Sequence, residues 1–173
     1  MGVKCCYVRD YPPGQQPTRA GIVLYTMYEG QLLFGLGRDS KTHEFTDFGG
    51  KISYSHDRTP ATAALREFHE ESLNIIKGLR QRDLGSFIAL YDEENFIIFV
   101  HLKVDPNEVC HSFHQAYQKF IVEHRHEKWN QPEMCGITWF TIDQMSQLIQ
   151  QTGFMFERVR RVLAEGWNVR ELL

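Results

Sequence analysis

The sequence predicts an α+β fold in a single domain spanning residues 1–173. Three observations carry that reading. Strand-like and helix-like stretches are mixed along the chain, and an apolar hairpin stands near its start. In addition, 42% of the residues are hydrophobic, enough to fill one core at this length.

The elements follow in order. The opening stretch Met1-Gly2-Val3-Lys4-Cys5-Cys6 has Cys6 where an acylation signal carries Ser or Thr, so it reads as a short first strand with no membrane anchor. Residues 11–17 hold three prolines and form a loop. Residues 19–28 and 31–37 flank Glu29-Gly30 and predict a β-hairpin. A polar loop at 38–42 leads into residues 43–51, where Asp47-Phe48-Gly49-Gly50-Lys51 places two glycines where backbone must turn or approach something closely. A helix follows, with Thr59 as N-cap, Pro60 at its first position, and neither glycine nor proline from Ala61 to Glu71. Two apolar strands, 84–91 and 96–104, are joined by Asp92-Glu93-Glu94-Asn95. An inserted helical segment occupies about 104–135, with its helix at 107–126. A strand at 136–143 and two closing helices, 143–151 and 154–165, complete the chain.

Charge and cysteine usage bound the function. A net charge of -3 gives no basic excess for bulk nucleic-acid binding. No apolar run is long enough to span a bilayer and no signal peptide is evident. Cys5, Cys6, Cys110 and Cys135 are too few and too scattered for a disulfide framework, which points to a reducing, cytoplasmic or otherwise intracellular setting. His111-x-x-His114 and His124-x-His126 lack the further ligands that a tetrahedral zinc site needs, and read as a polar helix surface.

The helix at 59–72 is the stretch that carries chemistry. At roughly 100° per residue, Ala61, Ala64, Leu65, Phe68 and Ser72 share one sector, while Glu67, Glu70 and Glu71 fill another. One face can enter a core while the other presents three carboxylates, or simply stays solvated with Arg66 paired to Glu70. Like charges at these spacings repel, and a hard, oxygen-seeking cation such as Mg²⁺ or Mn²⁺ would relieve them.

The stretch from Gly50 to Asn74 resembles the Nudix box, G-x5-E-x7-R-E-U-x-E-E-x-G-U, with U a bulky apolar residue. Gly50 matches the leading glycine, and Arg66, Glu67, Phe68, Glu70 and Glu71 match R-E-U-x-E-E. The departures are a longer loop after Gly50, with seven residues before the first acidic position, Arg58 at that position, Leu73 for the late glycine, and Asn74 for the closing apolar residue. The resemblance implies a mixed β-sheet sandwiched between helices. It also implies Mg²⁺- or Mn²⁺-dependent hydrolysis of a nucleoside diphosphate linked to another group, by attack of water on phosphorus.

On that resemblance, Gly50 (through its carbonyl), Glu67, Glu70 and Glu71 hold metal, and Glu133, in the loop before the 136–143 strand, completes the site, with Glu127 as the alternative. Glu70 is the favoured general base and Arg66 orients Glu67 or Glu70. Lys51 reaches a substrate phosphate or is merely an exposed strand-end lysine. Arg58 pairs with a carboxylate or points at phosphate. Phe45, Tyr28 and Trp129 are the aromatics that could stack on a base. The expected partner is a small-molecule nucleotide: a nucleoside triphosphate, an ADP-ribose-like sugar, a dinucleoside polyphosphate or a capped RNA end. Oligomeric state is not legible. The competing class is a Nudix fold without turnover, binding a nucleotide or a protein.

Overall fold

The structure, a computed structural model, describes residues 2–173. Of the opening stretch, Met1 lies outside the described residues, and the first strand, β1 (Lys4–Tyr7), forms where the sequence predicts it. The hairpin strands are β2 (Arg19–Tyr28) and β3 (Gln31–Asp39), paired from Leu24–Gly35 to Tyr28–Gln31, with Glu29 and Gly30 both at positive φ in the turn.

Below Leu24 and Gly35 the hairpin forks. The next segment fills the fork: β4 (Phe45–Thr46) pairs with β3, and β5 (Phe48–Lys51) pairs with β2. On its other edge β2 runs parallel to β7 (Asn95–His101), which pairs antiparallel with β6 (Ile88–Tyr91), itself beside β1. The last strand, β8 (Met134–Thr141), lies antiparallel on β3. The result is an eight-stranded mixed sheet.

Both faces of the sheet are covered, and the period-2 alternation of its central strands decides what goes where. Ala20, Ile22 and Leu24, with Phe96, Ile98 and Val100, face one core, shared with Phe48 and with Ala61, Ala64 and Phe68 of α2 (Pro60–Glu71) and Phe113 of α3 (Pro106–Glu123). Val23, Ile97 and Phe99 face the other, closed by α4 (Ile142–Gln150) and α5 (Glu157–Gly166) through Met145, Ile149, Val159 and Leu163. A mixed sheet between two helical layers is the arrangement that the box resemblance implies.

Four expectations shift. The strand expected from residue 84 begins at Ile88, because Gln81–Ser86 winds into a 3-10 turn whose buried Leu84 mimics a strand residue in the sequence. The last helix starts at Glu157 rather than 154, because Phe45 and Phe154 to Phe156 exchange backbone hydrogen bonds that hold the chain extended there. Gly49 and Gly50 lie within β5 and make no turn; they serve close approach. A Cβ on Gly49 would come within 2.6 Å of the Ala20 carbonyl oxygen. Finally, Glu71 is buried, although the helical wheel sets it with Glu67 and Glu70 on the sector turned away from the core.

Candidate active site

Helix α2 is positioned from both ends. Thr59 Oγ1 accepts a hydrogen bond from the Thr62 amide at 3.1 Å, and Pro60 occupies the first turn, where no backbone donor is missed. Ahead of it lies the single turn α1 (Tyr54–Asp57). At the far end the chain leaves through Leu73 and Asn74, both left-handed at φ 55° and 56°, with the Asn74 amide bonded back to His69 O at 2.8 Å. Position 73, where the box pattern carries glycine, thus keeps the backbone conformation that favours glycine although the residue is leucine. Phe68 anchors the inner face edge-on to Phe48, with ring centroids 5.3 Å apart.

Gly50 is where β5 meets this helix. A Cβ there would stand 2.5 Å from Glu67 Oε1, so only glycine lets the Glu67 carboxylate lie against the strand. Arg66 then gathers the acids around it. Its Nε and Nη2 donate to Asp57 at 2.7 and 2.9 Å, its Nη1 donates to Glu67 at 3.1 Å, and Nη1 lies 3.6 Å from Glu70. Its Nη2 also reaches the Lys51 carbonyl at 3.3 Å. The hydrogen bonds from Arg66 hold the Asp57 carboxyl below the usual carboxylate range.

Asp57 is the functional-looking residue that the sequence reading missed. The box pattern expects an acid at position 58; the acid stands one residue earlier, and it is buried. Arg58 itself is exposed, sits at φ 62° and ψ −45°, and lines a separate cavity beside Tyr11 and Tyr54. It therefore neither pairs with Arg66's carboxylates nor faces the acidic cluster.

Beneath α2 lies a second unanticipated pair. Asp47, at the centre of the fork, is fully buried and bound by both terminal nitrogens of Arg19, at 2.9 and 2.5 Å, and by the Thr46 hydroxyl at 3.1 Å. A cavity of about 280 Å³ opens beside Arg19, Gly49, Glu71 and Glu133. Glu71 borders it and is only 5% exposed, with Oε1 buried and lacking a hydrogen-bond partner among the described residues. Burial, then the charges of Asp47, Glu133 and Glu67, push its carboxyl up to about 10. Burial also raises Glu67, against the opposing pull of Arg66.

Glu133 reaches the same place by a different route. The β3–β8 register slips between Arg38 and Asp39, so the loop before β8 folds over the end of β3. The Ser40 amide donates to Glu133 O at 2.8 Å and its hydroxyl to Pro132 O at 2.6 Å. Glu133 thereby lines, with Glu70 and Glu71, a cleft of about 750 Å³ that Lys41, Lys128 and Trp129 also line. Glu127 sits in the turn after α3, outside that lining.

Other sequence candidates are not brought in. Phe45 packs edge-on to Phe140 at 5.0 Å, on the sheet face away from α2. Tyr28 closes the hairpin, away from the cleft. Lys51 is exposed at the end of β5, and its carbonyl rather than its ammonium is engaged. His114 bonds Gln118 at 3.1 Å on the outer surface of α3.

Among the described residues no three His, Cys, Asp or Glu side chains converge on one ion-sized point. Two of the candidate ligands are engaged by Arg66 instead, Glu67 at 3.1 Å and Glu70 at 3.6 Å from Nη1. The chemistry of the donors nonetheless fits a hard cation: all are carboxylate oxygens, and a buried one lacks any partner.

No protein-family model matches the chain, and no curated protein matches it. Solved structures do match. The chain is 14% identical to the NUDIX domain of Shewanella oneidensis NrtR complexed with ADP ribose, covering 96% of this chain and 97% of that one with a TM-score of 0.50. It is 15% identical to a C. elegans Ap4A hydrolase in a binary complex, over 90% of this chain and 98% of that one, with a TM-score of 0.48. A mutT/nudix family protein from Listeria innocua is 15% identical over 91% of this chain and 97% of that one, at a TM-score of 0.42. At 14% identity and a TM-score of 0.50, the likeness to the NrtR domain speaks to architecture alone: the chain has a Nudix-like fold.

Proposed function

We propose that the protein hydrolyses a pyrophosphate bond in a nucleoside diphosphate linked to another group, using Mg²⁺ or Mn²⁺. The observation that carries this reading is Glu71: a buried carboxylate with an unpartnered oxygen, surrounded by further acids. A structural helix has no use for so costly a group, whereas a cation would satisfy it. In this reading residues 1–173 form one Nudix-like domain, and the segment at about 104–135 is an insertion that builds one wall of the cleft.

Glu67, Glu71 and Glu133, with the Gly50 carbonyl, would hold the cation. A bound Mg²⁺ or Mn²⁺ would neutralise phosphate charge and lower the pKa of the attacking water. Glu70, exposed where it lines the cleft, would accept a proton from the attacking water. Arg66, braced by Asp57, fixes the orientation of Glu67 and Glu70. The buried Arg19, paired with Asp47, lies beside Glu71 and offsets part of the repulsion that Asp47, Glu133 and Glu67 exert on it.

A second reading, a nucleotide-binding module without turnover, is favoured by one observation: Glu67 and Glu70 both lie against Arg66, at 3.1 and 3.6 Å from Nη1. The two readings part in a chromatographic screen of nucleoside triphosphates, ADP-ribose, dinucleoside polyphosphates and capped RNA with Mg²⁺ and with Mn²⁺. Metal-dependent release of a mononucleotide product supports hydrolysis. Binding without product across the panel establishes the module instead.

A further inference from the structure

Arg58, which the acidic cluster does not use, lines a cavity of about 440 Å³. We propose that this cavity is a second ligand site, and that it takes a small organic anion with one carboxylate and a flat apolar body. The proposal does not depend on whether the acidic cleft turns over a nucleotide, since the cleft and the cavity share no lining residue.

Charge is the first reason. Among the described residues that line the cavity, Arg58 carries the one ionised side chain, and no carboxylate stands beside it. In a chain of net charge -3, a hollow with one cation and no acid is a place for an anion. The guanidinium is exposed and makes no hydrogen bond or ion pair among the described residues. Its planar array of donors matches both oxygens of a carboxylate. The other polar side chains in the lining include the neutral amides of Gln15, Gln16 and Gln81. A second or third negative charge would therefore meet no further cation, which favours a monoanion over a polyphosphate.

The backbone gives a second reason. Arg58 stands at φ 62° and ψ −45°, a conformation that costs about 1–3 kcal/mol and that recurs where a side chain is held ready for a ligand. Glycine would adopt it at less cost, but would leave the cavity without its charge.

The walls specify the rest of the ligand. Tyr54 is fixed by its hydroxyl, which donates to Pro17 O at 2.7 Å, and Tyr11 packs edge-on to Phe96 with ring centroids 4.6 Å apart. These rings are in place before anything binds, so a flat apolar body costs little ordering of the protein. The Tyr11 hydroxyl is buried without a hydrogen-bond partner among the described residues, so this wall is short of an acceptor. A carboxylate brings acceptors only.

The test is an amide chemical-shift titration by NMR on the full chain, with naphthoate, its neutral counterpart naphthamide, and inorganic phosphate. Naphthoate should bind with a Kd of about 1 mM or tighter. It should move the amide signals of Tyr11, Tyr54, Arg58 and Ala61 and leave those of Glu70, Glu71 and Glu133 in place. Naphthamide should bind about tenfold more weakly, and phosphate more weakly than naphthoate. Arg58 is exposed, so Arg58→Gln keeps the fold; it should bring naphthoate down to the level of naphthamide, and Arg58→Lys should restore part of the difference. Absent naphthoate binding, shifts confined to the acidic cleft, equal binding of naphthamide, phosphate binding as tight as naphthoate, or undiminished binding in Arg58→Gln would each overturn the proposal.

Discussion

Asp57 accepts hydrogen bonds from Nε and Nη2 of Arg66, nine residues further on, at 2.7 and 2.9 Å, and it does so from a position only 2% exposed. The pair joins α1 to α2, because the same carboxylate also caps the Ser53 amide at 2.8 Å. With Nε and Nη2 held, Nη1 is left to face Glu67 at 3.1 Å and Glu70 at 3.6 Å. Asp57→Asn keeps the shape and removes the charge. It should cost about 1–3 kcal/mol of stability and lower kcat more than it raises KM, since the misaligned group is a positioning one. Because Asp57 is held below its ordinary range, its contribution is present at neutral pH and is lost as pH falls below about 3.8. A mutant with wild-type melting temperature and turnover would refute the bracing role.

Arg58 gives a prediction of opposite sign. Its φ of 62° with ψ of −45° is a strained conformation for a side-chain-bearing residue, and among the described residues no hydrogen bond of the guanidinium compensates for it. Arg58→Gly should therefore stabilise the protein by about 1 kcal/mol with turnover unchanged. Arg58→Glu, which restores the acid that the box pattern expects, should not raise activity, because Asp57 already occupies Arg66. Activity that appears only in Arg58→Glu would show that the displaced acid is no substitute.

These two neighbours also mark how far the sequence could be read. The core alternation of β2 and β7, the Thr59-Pro60 entry and the Arg66–Glu71 stretch follow from local patterns, and each forms as its pattern predicts. Asp57 was hidden because a box aligned on spacing points one residue too far along a lengthened loop. Arg19 and Asp47 were hidden for a different reason: 28 residues separate them, and only the forking of the hairpin brings them together. Glu71 lies on the charged side of a helical wheel, yet a wheel does not register that this flank of α2 sits over the fork. Leu84 looked like a strand residue because a buried leucine in a 3-10 turn leaves the same trace.

Glu133 and Glu127 provide the third test. Two Ser40 hydrogen bonds pin Pro132 and Glu133 against the end of β3, while Glu127 hangs in the turn after α3. Glu133 is exposed, so its removal leaves no cavity. Glu133→Gln should lower kcat by about tenfold or more and leave the melting temperature in EDTA unchanged. Glu127→Gln should change neither. A large defect in Glu127→Gln with none in Glu133→Gln would move the site to the other loop residue.

The fourth prediction concerns the pH dependence of stability without metal. The Glu71 carboxyl is pushed up to about 10 in the fold from an ordinary value of 4.5, chiefly by burial and then by the charges of Asp47, Glu133 and Glu67. Between those values the folded chain holds a proton that the unfolded chain has released, so stability must fall as pH rises. The contribution of neutral Glu71 is complete below 4.5 and is lost as pH climbs through 10. Glutamine occupies the same volume and cannot ionise. In EDTA, Glu71→Gln should therefore be more stable than the wild type by about 1–3 kcal/mol at pH 8, with little difference at pH 4.5. Mg²⁺ or Mn²⁺ should reverse the order, because a cation favours the ionised carboxylate and the glutamine offers it none. Thermal denaturation from pH 4.5 to 9.5, with EDTA and with Mn²⁺, measures both effects. Parallel curves for the two proteins, and the same response to Mn²⁺, would show that Glu71 neither carries the buried proton nor binds the metal.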